Sequence, residues 1–157
     1  MANLSDIEEI LSGVLNSLNS QIELNKLGLA GTKRILDRTR KGIDVDGRPF
    51  KPYSDRWAEV REENELPTHV VDLTFSDIEG MLRKVDHTVS NDLKSVAIDI
   101  EDPEKRLIAS YHDELGAGRS KVVRHFWGLN DEDEAAIATI VARDIENLLN
   151  KLVSEKQ

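Results

Sequence analysis

Apolar residues that recur at three- and four-residue steps predict a helix at each end of the chain. The N-terminal helix should cover about residues 5–25, with Ser5 and Glu8 as a capping box at its start. Its apolar stripe comprises Ile7, Ile10, Leu11, Val14, Leu15, Leu18 and Ile22. Asn130 or Asp131 can cap the C-terminal helix. Its stripe comprises Ile137, Ile140, Val141, Ile145, Leu148, Leu149 and Leu152.

Glycines and prolines divide the first half of the chain. Gly28 and Gly31 weaken helical continuity and predict a break, after which a second helix should end near Gly42. A flexible loop of about residues 42–68 should follow, with a tight turn at Asp46-Gly47. Within this loop, the Arg- and Glu-rich segment 54–67 predicts a solvated helix or a mobile excursion.

Shorter patterns predict the elements of the second half. Residues 69–73 read as a short strand, and Phe75, Ile78, Met81 and Leu82 then follow helical spacing. Apolar positions on both sides of Asn91-Asp92 predict a hairpin. Asp102-Pro103 predicts a helix start and Gly116 its end. The expected buried face of this helix is Leu107, Ile108, Tyr111 and Leu115.

A further strand is predicted over 122–127, where Phe126 and Trp127 are more simply explained as core than as interface anchors. The elements together predict an α+β fold, a single domain over residues 1–157. In it a small antiparallel sheet packs with an N-terminal and a C-terminal long helix.

Composition narrows the classes of function. The chain of 157 residues has no cysteine, which excludes a disulfide framework, a thiol nucleophile and a thiolate zinc site. Its start carries acids instead of a basic leader segment, and no apolar run approaches the roughly 18 residues of a membrane span, so we expect no membrane partner. The formal net charge of -9 disfavours tight DNA binding but lets a polyanion pass nearby without sticking.

Motifs for metal or catalytic chemistry are weak. Asp44 and Asp46 before Gly47 resemble the opening of a calcium loop, but Arg48 falls where an oxygen ligand is required, which favours a structural turn. His112 and Glu114 form the densest cluster of ligand types with Asp113, yet His112 has no second His one helical turn away. We therefore expect no enzyme, metal or cofactor.

Two basic patches favour contact with another protein subunit. The first comprises Lys33, Arg34, Arg38, Arg40 and Lys41, and the second comprises Arg119, Lys121 and Arg124. Because the chain as a whole is acidic, the expected partner is an acidic face of a neighbouring copy, such as the run Asp131–Glu134.

Four segments, in order, resemble the phage virion morphogenesis family of Mu-like and tail-completion proteins. The first is residues 38–54, in which a basic helix end, an acid-Gly turn, an aromatic, a Pro and a Tyr before Ser follow one another. The others are Val71-Asp72-Leu73-Thr74 leading to Gly80-Met81-Leu82, then Tyr111-His112 with Gly116, then Arg124-His125-Phe126-Trp127-Gly128-Leu129. The chain departs from the family pattern in residues 75–79, before Gly80, and in having His125 where Pro is common.

The resemblance implies a structural virion protein that joins or completes the tail at the neck, assembled in the host bacterial cytoplasm. It implies a homo-oligomeric ring, with a hexamer favoured, that contacts the head connector or adaptor and the tail tube or tail terminator. Genome DNA would pass nearby through the ejection channel. The candidate interface residues are Arg38, Arg40, Lys41, Asp46, Gly47, Phe50, Tyr53, His112, Arg119, Lys121 and Arg124.

Two alternatives from other classes stay open at this point. One is a small metal-dependent hydrolase centred on His112 and Glu114. The other is an acidic adaptor that binds a host protein by surface mimicry.

Overall fold

The computed structural model describes residues 4–18, 20–73, 80–82, 84–119 and 121–154, without the side chains of residues 4–7. Two sequence predictions lie outside what the structure describes. They are the capping box, which depends on the Ser5 side chain, and the part of the helical spacing at Phe75 and Ile78. The fold is α+β, as the sequence predicted.

The bounds predicted for the N-terminal helix, residues 5–25, are wrong, because the chain forms two helices there. Helix α1 spans Leu4–Leu18 and helix α2 spans Gln21–Arg40. The Ser20 hydroxyl accepts a hydrogen bond from the backbone N–H of Glu23 at 3.2 Å, which caps the start of α2. The break therefore lies before Gln21 and not at the two glycines.

Gly28 and Gly31 lie inside α2, where they allow the sheet to approach the helix backbone. A Cβ atom at Gly28 would overlap the His87 ring, and one at Gly31 would lie 2.7 Å from the Ile98 Cδ1 atom. Both glycines are buried. The helix continues through them because close packing against the hairpin offsets their low helix propensity.

The sheet is the predicted hairpin. Strand β1 (Val85–Val89) pairs antiparallel with strand β2 (Val96–Ile100), with Val85 opposite Ile100 and His87 opposite Ile98. The inward positions alternate with exposed ones along each strand, and α2 packs across the hairpin.

Segment 54–67 contains helix α3 (Asp55–Glu63), one of the two predicted outcomes. The strand predicted over 69–73 is absent, which corrects that expectation. Val71 and Leu73 are buried, but the backbone N–H of Asp72 donates to the Tyr53 hydroxyl at 3.0 Å, where a strand would pair with a neighbouring strand.

Helix α4 (Pro103–Ser110) begins as predicted, since the Asp102 side chain accepts bonds from the N–H groups of Glu104 and Lys105. It continues into a π-helical turn, Tyr111–Leu115, and Gly116 follows at a φ of +84°. The predicted buried face is mostly wrong. Ile108 packs on the core with Ala109, whereas Leu107, Tyr111 and Leu115 are exposed.

Helix α5 (Asp131–Ser154) ends the fold, and its start is the predicted one, because Asn130 Oδ1 accepts the N–H of Asp133 at 2.9 Å. It packs on α1 and α2. The main core lies between the hairpin, α4 and the loops. It comprises Phe50, Val71, Leu73, Met81, Leu82, Ile100, Ala109 and Phe126.

The loop after α2 closes on itself at the predicted tight turn. Asp44 Oδ1 accepts the N–H of Arg48 at 2.7 Å, Ile43 bridges to Pro49, and Gly47 has a φ of +81°. A Cβ atom at Gly47 would meet nothing within 4 Å. Backbone conformation, and not crowding, therefore determines which residues fit at this position.

Replacing Gly47 with Val should lower the free energy of unfolding by about 1–2 kcal/mol, because a β-branched residue is strained at positive φ. Chemical denaturation measures this change. Gly47→Asn is the matched control and should cost less, because Asn tolerates the left-handed region. Equal stability of Gly47→Val and the unsubstituted protein would contradict the turn assignment.

Candidate functional site

The Arg38 guanidinium ties α2 to the segment that precedes α5. Its Nη1 atom pairs with Asp133 Oδ2, and its Nη2 atom donates to the carbonyl oxygens of Phe126 at 2.9 Å and Gly128 at 2.7 Å. Arg38 is 8% exposed and Asp133 is 4% exposed. One buried cation therefore holds two helices and one loop together.

Asp133 is positioned by the start of its own helix. Its N–H donates to Asn130 Oδ1, and its Oδ2 atom accepts the N–H of Asn130 at 3.3 Å. Arg34 Nη1 lies 3.9 Å from the other carboxylate oxygen. The sequence suggested that this acidic run meets the basic cluster of a neighbouring copy. That expectation is corrected for Asp133, since Arg38 of the same chain pairs with it.

Residues 122–127 do not form the predicted strand, because their backbone bonds to a helix end and to a loop. The N–H groups of Phe126 and Trp127 both donate to Asp113 Oδ1, at 2.8 and 2.9 Å. The Arg124 N–H donates to the His112 carbonyl at 2.7 Å, and the His125 carbonyl accepts from Val45. Phe126 is fully buried, in agreement with its predicted core role.

The Arg124 side chain connects segment 122–127 to the loop after α2 by hydrogen bonds. Its Nε atom donates to the Lys51 carbonyl at 3.0 Å and its Nη2 atom to the Pro52 carbonyl at 2.9 Å. Its guanidinium carbon lies 5.9 Å from the centroid of the Tyr53 ring, and that of Arg61 lies 4.6 Å from it. Tyr53 thus carries two cation–π contacts.

The Tyr53 hydroxyl holds the loop at residues 71–73. It donates to the Asp72 carbonyl at 3.2 Å and accepts the Asp72 N–H at 3.0 Å. Burial raises the pKa of Tyr53, against the opposing effect of the Arg61 cation. Burial also lowers the pKa of the Arg124 guanidinium.

These contacts join the segments that carry the resemblance into one cluster, here called the junction. It consists of residues 38–53, 71–73, 112–116 and 124–128. The segments are far apart along the sequence. Side-chain bonds to backbone carbonyl and N–H groups connect them, together with the apolar core around Phe50 and Phe126.

The structure divides the sequence-predicted interface residues into three groups by exposure. Arg38, Phe50 and Arg124 are buried, so their expected interface role is corrected: their side chains contact the same chain. Tyr53 and His112 are half-buried in the junction. The exposed ones are Arg40, Lys41, Asp46, Gly47, Arg119 and Lys121.

Three important residues escaped the sequence reasoning. Asp113 was considered only as a possible metal ligand. Nothing in the residues around it predicts that its carboxylate accepts the backbone N–H groups of Phe126 and Trp127. Arg61 is 1% exposed, although it lies in a segment whose charge predicted a solvated helix. Asp133 had a usable signal, since Asn130 and Asp133 have the spacing of a capping box.

Two of the candidate metal ligands pair with a cation of the same chain. Arg48 pairs with both Asp44 and Asp46, so the calcium-like turn is closed by a cation of the chain. Glu114 is exposed and His112 half-buried. Within the ranges that the structure describes, no group of three or more His, Asp and Glu side chains is arranged to hold a metal ion.

One exposed apolar surface runs along α4 and the π-helical turn. Leu107, Tyr111 and Leu115 follow one another at four-residue steps and are 54%, 43% and 57% exposed. The exposed acids Glu104 and Glu114 lie on the same helical segment. We call these five residues the α4 stripe.

A second surface is the outer face of α2, defined by Ile22, Leu29, Lys33 and Arg40. Ile22 is 69% and Leu29 60% exposed. Lys33 pairs with Asp37, whose pKa it lowers, and Arg40 is exposed near the helix end. The α4 stripe is therefore apolar and acidic, whereas the outer face of α2 is apolar and basic.

Replacing Arg38 with Met should lower the free energy of unfolding by about 3–5 kcal/mol, because the Asp133 carboxylate stays buried without its counter-charge. Thermal and denaturant unfolding measure the change. Arg34→Met is the matched control and should cost less than about 1 kcal/mol, since the Arg34 side chain is 42% exposed and its Nη1 atom lies 3.9 Å from the carboxylate. Equal losses in the two variants would contradict the central role of Arg38. Adding Asp133→Leu to Arg38→Met should recover part of the loss.

Alkaline pH should destabilise the protein through Tyr53. Its pKa is raised in the folded state, so its stabilising effect is complete below the unfolded value of about 10 and is lost as pH rises through the folded value. Denaturant unfolding between about pH 8 and 11.5 should show this loss. The loss should shrink in Tyr53→Phe but persist in Tyr111→Phe, where the replaced ring is exposed. Identical pH profiles for Tyr53→Phe and the unsubstituted protein would refute the assignment.

The described part of the chain contains no helix that is both long and apolar enough to cross a membrane. No protein-family model, no curated protein and no solved structure matches the chain.

Proposed function

We propose that this protein is a structural component of a phage particle, a head-tail joining or tail-completion protein at the neck. In this role it forms a ring, with a hexamer as the favoured stoichiometry, between the head connector or adaptor and the tail tube or tail terminator. It acts by assembly, without a catalytic step. Its place of action is the virion, after assembly in the bacterial cytoplasm.

The junction is the observation that carries the proposal. Segments that separately resemble parts of the virion morphogenesis pattern contact one another through Arg38, Tyr53, Asp113 and Arg124. In the fold these segments are neighbours, although they are far apart along the sequence. The contacts support reading the pattern as one structural unit.

The exposed apolar surfaces support a role in assembly. Large exposed apolar residues grouped on one helix face commonly mark protein–protein contacts. The α4 stripe and the outer face of α2 lie on different elements. Two different surfaces per copy are what a ring requires, because each copy must contact one neighbour on each side.

The charge fits a position beside the genome. With a formal net charge of -9, the chain repels a phosphate backbone at long range. DNA could then slide past a ring of such subunits without being held. The basic residues of α2 are partly offset by their own acids, since Lys26 pairs with Glu23 and Lys33 with Asp37.

The test is co-assembly of the purified full chain with the connector and tail-tube proteins of the same phage genome. Size exclusion with light scattering measures the mass of the chain alone and in each mixture. We expect a ring, either alone or on a partner, and a mass of six times the 17.7 kDa chain for the favoured hexamer. Bovine serum albumin, which is also acidic, serves as a control for charge-driven association.

A chain that stays monomeric and ignores both phage proteins would overturn the proposal. Specific capture of one host protein in the same conditions would favour the acidic adaptor. Stoichiometric divalent metal in the purified protein, lost together with a hydrolytic activity on chelation, would favour the hydrolase.

A further inference from the structure

We propose that the α4 stripe of one copy docks on the outer face of α2 in the next copy. The inference deepens the proposed function, because it rests on self-assembly and names the two surfaces that meet. The occupant of each surface is a second copy of this chain. Repetition of the same contact generates a ring.

The two surfaces match in apolar character and length. Leu107 and Leu115 are two helical turns apart, with Tyr111 between them, and Ile22 and Leu29 are also two turns apart on α2. All five side chains are between 43% and 69% exposed in the single chain. Rows of side chains at four-residue steps form ridges that pack into the groove of a facing helix.

The charges of the two surfaces are opposite. Glu104 and Glu114 accompany the α4 stripe, and the nearby cation Arg106 is engaged by Asp99 at 2.8 Å and by the Ile100 carbonyl. Lys33 and Arg40 accompany the face of α2, and Lys33, like Arg106, is engaged by an acid of its own chain, Asp37, so Arg40 supplies most of the net positive charge of this face. Bringing the faces together places acids beside cations around an apolar centre, the usual anatomy of a specific interface.

The same charges disfavour symmetric pairing. Two α4 stripes face to face would bring Glu104 and Glu114 against their own copies, and two α2 faces would oppose Lys33 and Arg40 in the same way. Contact between unlike faces avoids both repulsions. Such a contact is heterologous, so it either closes into a ring or extends as a filament.

The contact has to form between copies. Within the part of the chain that the structure describes, α2 packs on the hairpin and on α1 and α5, α4 packs on β2, and α2 does not contact α4. One chain therefore presents both surfaces at once. Each copy can engage one neighbour through α4 and another through α2.

The experiment compares two double charge reversals, Glu104→Lys with Glu114→Lys and Lys33→Glu with Arg40→Glu. Sedimentation velocity over a range of concentrations measures the association of the full chain. We expect the unsubstituted protein to associate, and each reversed variant to associate at least tenfold more weakly. An equimolar mixture of the two variants should regain association, because every contact in an alternating ring again joins opposite charges.

Matched controls carry the same change of charge elsewhere. Glu59→Lys with Glu146→Lys alters exposed acids of α3 and α5, and Lys84→Glu with Lys94→Glu alters exposed lysines near the hairpin. Both controls should associate like the unsubstituted protein. Circular dichroism and thermal melting confirm that each variant is folded, and recovery in the mixture excludes misfolding as the cause of a loss.

Several outcomes would overturn the inference. They are a chain that is monomeric at every concentration, association that survives both reversals, or no recovery in the mixture. A further variant, Leu11→Gln with Leu15→Gln, alters exposed leucines of α1, and loss of association in this variant alone would also overturn the inference. The neck proposal is tested separately, since binding to connector or tail-tube proteins is measured without reference to self-association. Partner binding together with one of these outcomes would leave the neck proposal standing and reject this interface.

Discussion

The fold depends on one buried guanidinium. Arg38 lies near the end of α2, pairs with a carboxylate in the first turn of α5 and donates to the carbonyls of Phe126 and Gly128 between them. A buried ion pair is worthwhile only when its remaining hydrogen-bonding groups are also satisfied. Here the Phe126 and Gly128 carbonyls accept from Nη2 and the Asn130 N–H donates to Asp133, while the Arg38 Nε atom is buried without a hydrogen-bond partner in the described part of the chain. The pair therefore specifies the position of α5 together with the path of residues 124–128.

The same principle recurs on the other side of the junction. Arg124 and Arg61 surround Tyr53, and their donors reach loop carbonyls that no strand or helix would otherwise satisfy. A sheet of two strands leaves many loop backbones to be held in another way. Buried arginine side chains take that role here, which explains how long irregular segments keep a defined path beside a small apolar core.

Sequence reasoning succeeded where the controlling interactions are local. The hairpin at 85–100, the cap at Asp102 and the turn at Gly47 follow from residues close in sequence. It failed where distant partners decide. The segment 122–127 looks like a strand, but the Asp113 carboxylate takes the bonds that a strand would use. Of the predicted interface residues, Arg38, Phe50 and Arg124 are buried. The sequence could not show this for the two arginines, because their hydrogen-bond partners are distant along the chain.

The contact between α2 and the hairpin links two positions that seem unrelated in sequence. The His87 ring occupies the space where a side chain at position 28 would lie, and Nε2 of that ring is 3.2 Å from Asn25 Oδ1. The missing side chain of Gly28 therefore leaves the space that the large side chain of His87 fills. In evolution they should covary: a chain with a larger residue at 28 can keep this packing only with a smaller one at 87.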